Sequence, residues 1–465
     1  MIGTPAEEDV RVFGEGRAKT DYPARISIAA SETWTALVIS QGPARSEVLL
    51  RRATGPFQPI FEGTNVEGTE ALADAWFVGD RLLARTNVGA PRFRLVEIDP
   101  EHPAVEHWRD VVPESDAVLL GAATTQSRLL VHHLRDATSR ITVLWPDGTL
   151  ERELTLPPLS TATSIGTDLD LEEAYVTIES FTSPPRTITL AGEVVDELPV
   201  PSGFAAARYP TRQVWFSSVD GTQVPLFLFG RERGAGRVLL TGYGGFNLSR
   251  TPAWSPALIP FLEAGGLVAL PNLRGGGELG EAWHRAGMRE QKQHVFDDFL
   301  SAARWLIAQG LTTPRQLGIF GRSNGGLLVG AALTQRPDLF GAVVCEVALL
   351  DMVRYERFKV ARLWAPEYGS AEDPDAFRWL LAYSPYHRVQ RGVRYPPILL
   401  TAGVEDARVD PAHARKMTAR LQAASPGSTV LLRLDERAGH GQGKPISKLI
   451  AEQVEVLSFF AWALD

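Results

Sequence analysis

Cysteine is almost missing: Cys345, inside GAVVCEV, is the only one among 465 residues. A lone thiol rules out an intrachain disulfide and leaves too few thiolates for a metal site, and its apolar setting reads as a small buried side chain in a strand. Long apolar runs are missing too. None reaches the roughly 18 residues that would span a membrane, and the opening MIGTPAEEDVRV carries acids where a secretory signal needs basic residues and then an apolar core. A cytoplasmic location and no membrane partner are therefore expected. Clustered Lys and Arg are absent as well, and the formal net charge is -8. A phosphate backbone finds no basic stripe to bind, which sets nucleic acid aside as a partner.

What is present is an ordinary globular composition, 44% hydrophobic and 22% charged, made turn-rich by 42 Gly and 32 Pro. The length calls for two or three units. Up to about residue 200 the chain is a series of short β-type runs separated by Asp, Gly, Pro and Ser, with few helical periods. The runs repeat in pairs: TWTALVIS with SEVLLRR, RLLARTN with RFRLVEID, RLLVHHL with RITVLWPDG, and EAYVTIES with RTITLAGE. Each pair recurs after roughly 46 to 48 residues, the span of one four-stranded propeller blade. A partial propeller of about four blades over residues 1–200 is expected, with a β-sandwich as the alternative.

From residue 201 to 465 strands alternate with helices, as in a largely parallel sheet covered on both faces. The order runs VPLFLF, RVLLTG, helix WSPALIPFLEAG, LVALPNL, a helix from Val295 to about Gln309, QLGIFG, helix GGLLVGAALTQ, GAVVCEV, PPILLTAG, helix PAHARKMTARLQAA, STVLLRLD and a closing helix from Ser447 to Leu464. This is the element order of an α/β-hydrolase. Within the Val295 helix, Phe296, Phe299, Leu300, Ala303, Leu306 and Ile307 share one face.

Gly321-Arg322-Ser323-Asn324-Gly325 fits G-x-S-x-G, with a strand before it, a helix after it and a glycine on each side. Those are the conditions of a nucleophile elbow, so Ser323 is the candidate nucleophile. A serine hydroxyl needs a general base that a third group orients. Of nine histidines, His440 in ERAGHGQGKP alone lies in a glycine-rich loop after a strand and before the last helix; His284, His294, His387 and His413 read as solvated or capping. The acid should fall between serine and histidine in chain order. TAGVEDARVDP supplies Asp406, just past a strand end, with Glu405 as the runner-up. Gly275 to Gly280 also satisfies G-x-G-x-x-G, but the acid expected about 20 residues later falls on Asp297 and Asp298 inside a helix, which argues against a dinucleotide site. No metal or organic cofactor is implied.

GYGGFN, NLRGGGELGEAWH, RSNGGLLV, QRPDLFG, LWAPEYG, DARV and AGHGQGKP, in that order, resemble the prolyl oligopeptidase family of serine peptidases. The resemblance implies a serine peptidase that cleaves short peptides after proline, with Ser323, Asp406 and His440 as its triad. It also implies an oxyanion hole from the Tyr243 hydroxyl and the Asn324 backbone N–H. Trp364 would stack on the substrate proline, Phe246, Tyr368 and Val409 would wall the same pocket, and Arg408 would hold a substrate carbonyl. Small proline-containing peptides are then the expected partners. Two departures stand out. The family carries an N-terminal segment and a seven-bladed propeller, for which the residues before position 200 leave too little chain, and Arg322 stands where the family usually has glycine, with Glu346 a possible partner. An acylaminoacyl peptidase or esterase, and an impaired remnant or binding module, are the rival functions.

Overall fold

The computed structural model describes residues 11, 13–17, 21–65, 68–231, 234, 236–441 and 443–465. The β-rich part forms four sheets of four strands each among the described residues. They are β1–β4 (Tyr22–Ile28, Trp34–Ser40, Ser46–Arg52, Gln58–Phe61), β5–β8 (Ala73–Val78, Arg81–Thr86, Arg94–Ile98, Arg109–Val112), β9–β12 (Val118–Thr124, Leu129–Arg135, Thr138–Leu144, Leu150–Leu154) and β13–β16 (Thr161–Thr167, Ala174–Glu179, Arg186–Thr189, Val194–Glu197). In every sheet each strand lies beside its neighbour in sequence, which is the meander of a propeller blade. Four separate small sheets replace the two large facing sheets that a sandwich would require. The paired runs seen in the sequence are the two middle strands of each sheet.

The residues divide into two compact units, one of residues 1–88 and 97–109 and one of residues 89–96 and 110–465, the division passing through β7 and β8. In the first, Leu37, Ile39 and Leu49 of β2 and β3 pack together. In the second, Ile141, Leu154, Ala162, Val176, Ile178 and Ile188 fill the space between the third and fourth sheets.

The second unit also holds an eight-stranded sheet of β17 (Thr211–Ser217), β18 (Gln223–Gly230), β19 (Val238–Thr241), β20 (Leu267–Pro271), β21 (Leu317–Arg322), β22 (Ala342–Glu346), β23 (Ile398–Gly403) and β24 (Val430–Asp435). The order is β17-β18-β20-β19-β21-β22-β23-β24. The first two strands form an antiparallel hairpin, β18 meets β20 antiparallel, and every later pairing is parallel. β17 is an addition to the expected order. Its signal was a hairpin turn with Gly221 at φ 86 after Asp220, a pairing that Asp-Gly favours.

The helices are α1 (Ile259–Glu263), α2 (Glu281–Arg285), α3 (Gln293–Ala308), α4 (Asn324–Gln335), α5 (Ala365–Tyr368), α6 (Pro374–Tyr383), α7 (Pro385–Arg388), α8 (Ala412–Ala424) and α9 (Ile446–Ala463). Alternate side chains of the strands feed two cores. Val238 and Leu240 of β19 face Phe296 and Phe299 of α3 and Leu327 and Leu328 of α4, whereas Leu239 belongs with Phe459 and Phe460 of α9. On α3, Phe296, Phe299, Ala303 and Leu306 are fully buried and Leu300 nearly so. Each large apolar side chain removed from water there contributes about 1.5–3 kcal/mol. The chain leaves β19 for β20 on one side and returns to β21 on the other. Ligands of open α/β sheets bind at the carboxyl ends of strands beside such a reversal.

Candidate active site

β21 ends at Arg322 and α4 begins at Asn324, so Ser323 stands alone between them with φ 58 and ψ -119. A non-glycine residue held there stores about 1–3 kcal/mol of strain. Backbone bonds hold it: the Ser323 N–H donates to the Glu346 carbonyl at 2.9 Å, and the Ser323 carbonyl accepts from Gly326 at 2.9 Å and Leu327 at 3.1 Å. The flanking glycines are sterically required. A Cβ on Gly325 would come within 2.7 Å of the Gly242 carbonyl oxygen, and one on Gly321 would run into the Gly325 carbonyl.

His440 is carried by the loop between β24 and α9, and Asp406 by the turn after β23. His440 Nε2 lies 3.1 Å from Ser323 Oγ, and His440 Nδ1 lies 2.7 Å from Asp406 Oδ2. Nδ1–H donating to the carboxylate leaves the Nε2 lone pair facing the serine hydroxyl, the tautomer a general base requires. Asp406 is fully buried while Glu405 is exposed, which separates the two candidate acids. The other Asp406 oxygen accepts the N–H groups of Arg408 at 2.8 Å and Val409 at 2.9 Å. Burial alone would raise this carboxyl. The His440 hydrogen bond and charge and the two backbone donors outweigh it and hold the group below its ordinary value.

Tyr243 follows β19. Burial pushes its phenol up, against the opposing charges of Arg408 and Arg250, so it stays protonated. The Asn324 side chain donates to the Tyr243 carbonyl at 2.6 Å and accepts from the Tyr368 hydroxyl at 2.8 Å. Phe246 meets Tyr368 edge-on, with ring centroids 5.5 Å apart. Trp364 ends a 3-10 turn, Ala361–Trp364, half-buried against the core four residues before Tyr368. Val409 is buried and Arg408 exposed.

Beneath these residues lies a charged network that the sequence did not disclose. The Lys292 ammonium, 1% exposed, donates to the Gly244 carbonyl at 2.9 Å and to Glu367 at 3.0 Å. His284 Nε2 is 3.0 Å from the other Glu367 oxygen, and its Nδ1 is 3.6 Å from Glu281. Burial would lower the His284 pKa; Glu281 and Glu367 reverse this and raise it to about 9. The network grips the loop that presents Tyr243. His284 and His413 are thus buried, not solvated or capping. His413 accepts the Leu350 and Asp351 N–H groups at 3.2 and 3.1 Å.

Arg322 does find Glu346: Nη1 is 3.5 Å from its carboxylate, and Nη2 donates to the His440 backbone carbonyl. In the Gly275–Gly280 loop, a Cβ on Gly275 would lie 2.8 Å from the Gly244 carbonyl, so the loop is packed against protein. Asp298 is engaged in a two-pronged pair with Arg274, at 2.9 and 2.6 Å. Cys345 is buried and its thiol is pushed up to about 12 by that burial. Among the described residues no group of three or more His, Cys, Asp or Glu is placed to hold a metal ion, and no helix is long and apolar enough to cross a membrane.

Two family models match the chain: the N-terminal beta-propeller domain of prolyl oligopeptidase over residues 1–192 and the prolyl oligopeptidase family over residues 253–465. The prolyl endopeptidase of Elizabethkingia miricola is 34% identical over 98% of this chain, and that of Dictyostelium discoideum is 34% identical over 82%. The chain spans 66% of the first relative's length and 53% of the second's. A solved prolyl endopeptidase structure superposes with a TM-score of 0.94 at 40% identity, covering 100% of this chain and 69% of the other. Prolyl oligopeptidase B from Galerina marginata, bound to a 35mer hydrolysis and macrocyclization substrate, gives 0.92 at 26% identity over 100% and 68%. With both family models matched in order and the likeness running the length of the chain, this protein belongs to the prolyl oligopeptidase family.

Proposed function

We propose that the chain is a serine peptidase that hydrolyses short peptides on the carboxyl side of proline through an acyl-enzyme. The observation that carries the proposal is the contact series Asp406, His440, Ser323 at 2.7 and 3.1 Å, set on a strained elbow. Ser323 Oγ attacks the prolyl carbonyl as its proton passes to His440 Nε2, and Asp406 steadies the imidazolium. The Tyr243 hydroxyl and the Asn324 N–H receive the developing oxyanion. His440 then returns the proton to the leaving amine, and water repeats the sequence to release the acyl group.

Proline preference is assigned to Trp364. A flat indole against a pyrrolidine ring gives a large apolar contact at little ordering cost. Phe246, Tyr368 and Val409 complete the walls, and Arg408 holds a substrate carbonyl. Residues 1–200 form the propeller domain and residues 201–465 the catalytic domain. Small proline-containing peptides are the partners, with neither nucleic acid nor membrane involved. A cytoplasmic setting, where thiols stay reduced, agrees with the single buried cysteine.

The test compares hydrolysis of an internal Gly-Pro amide with that of an acetylated alanine amide, in the wild-type chain and in Trp364→Ala. Preference for the proline substrate, lost selectively in Trp364→Ala, is the expected result. Preference for the alanine substrate would assign the site to an acylaminoacyl peptidase or esterase, and equal losses on both would return Trp364 to the core.

A further inference from the structure

Arg322 and Glu346 are register partners at the carboxyl ends of neighbouring parallel strands, β21 and β22. The Glu346 main chain accepts the Ser323 N–H at 2.9 Å, while its side chain, 1% exposed, faces Arg322 at 3.5 Å. The guanidinium in turn donates to the His440 carbonyl and fills the place where a Cβ on Gly441 would go. One strand residue therefore reaches both partners of the proton transfer, Ser323 directly and His440 through a guanidinium. Farther along, the histidine loop is anchored by Lys444, buried between Glu452 at 2.8 Å and Asp435 at 3.4 Å.

The planar fork of arginine can serve a carboxylate and a carbonyl at once, whereas the point charge of lysine cannot hold both in fixed geometry. We infer that Arg322 is a positioning residue: braced by Glu346, it holds the His440 main chain so that the imidazole stays in line between Asp406 and Ser323. The inference rests on those three residues being the reacting groups.

Glu346 also makes the brace sensitive to pH. Its burial, with Glu452 of α9 nearby, pushes its carboxyl up to about 7, against Arg322 of β21, Lys444 of the loop before α9 and Arg433 of β24. As pH falls through that value the carboxylate takes up a proton and its hold on Arg322 weakens.

The full chain, treated with an excess of an organic fluorophosphonate and followed by intact mass, gives a limiting rate kinact and a half-saturation concentration KI for Ser323. Arg322→Met should lower kinact by roughly 10- to 10²-fold, the scale of an ångström-level misplacement, with KI unchanged. Arg322→Lys, which keeps the charge and the bulk, should recover only part of the rate. Below pH 7 the wild-type kinact should fall more steeply than that of Glu346→Gln, whose side chain is neutral throughout. Circular dichroism and thermal unfolding establish that each variant is folded, and should Arg322→Met not fold, Arg322→Lys and Glu346→Gln carry the test. Wild-type kinact in Arg322→Met or Arg322→Lys, or equal pH slopes in wild type and Glu346→Gln, would overturn the brace while leaving the triad intact. A wild-type chain inert to the reagent would overturn the triad and the brace with it.

Discussion

Ser323 shows how much chemistry a single backbone setting carries. Its positive φ, with a glycine on either side that cannot accept a Cβ, projects one hydroxyl toward one imidazole. In the proposed mechanism the protonated Tyr243 phenol is a donor for charge that exists only in the transition state. Tyr243→Phe should therefore lower kcat by roughly 10² to 10³ with little change in KM or melting temperature; steady-state kinetics on the Gly-Pro amide would check this, and an unaltered kcat would remove Tyr243 from the oxyanion hole. Asp406→Asn should cost more, about 10⁴ in kcat, because an amide no longer selects the required histidine tautomer.

At this scale the sequence was informative wherever a requirement was local. The elbow needs small residues within a few positions of the serine, and that pattern is readable. Lys292 was not, because its partners, Gly244 and Glu367, lie 48 and 75 positions away. The same distance problem hid His284, whose partner Glu367 lies 83 positions away on a different helix.

Among the elements, β21, α4 and the loops after β19, β23 and β24 meet at one edge of the sheet, and their packing is tight. Gly325 is in the first turn of α4, where alanine would ordinarily gain up to about 1 kcal/mol in helix propensity. The Cβ would lie 2.7 Å from the Gly242 carbonyl, and overpacking of that kind costs typically 1–3 kcal/mol. The steric effect wins, so Gly325→Ala should lower stability in denaturant titration and lose activity.

The loop network makes a pH prediction with a definite sign. The folded pKa of His284 is raised to about 9 from 6.5, so its stabilising contribution is complete below about 6.5 and is lost as pH rises through about 9. Thermal unfolding of wild type and His284→Gln across that window should show the wild-type advantage, roughly 3 kcal/mol at the scale of 1.36 kcal/mol per pKa unit, shrinking toward pH 9. An advantage that stays constant would mean that His284 is neutral in the fold.

Over the whole molecule, the repeat was legible because middle strands such as β2, β6 and β10 carry runs of buried apolar side chains. The last strands of the first, second and fourth sheets were not, since β4, β8 and β16 have four residues each with few buried side chains to mark an alternation. β16 is exposed along its length, with Val194 51% and Val195 53% exposed at the edge of its sheet. Unpaired apolar edges recruit other strands. The chain expressed alone should self-associate as concentration rises in sedimentation velocity, and Val195→Lys should reduce that association; an unchanged profile would mean that β16 is not the adhesive edge.

The proposed mechanism needs this fold to assemble a reactive serine from four separated stretches of chain. Intact mass after exposure to a fluorophosphonate tests it most directly. One adduct per chain, located at Ser323 and absent from both Ser323→Ala and His440→Ala, is the predicted result. A chain that stays unmodified, or an adduct that survives Ser323→Ala, would contradict it.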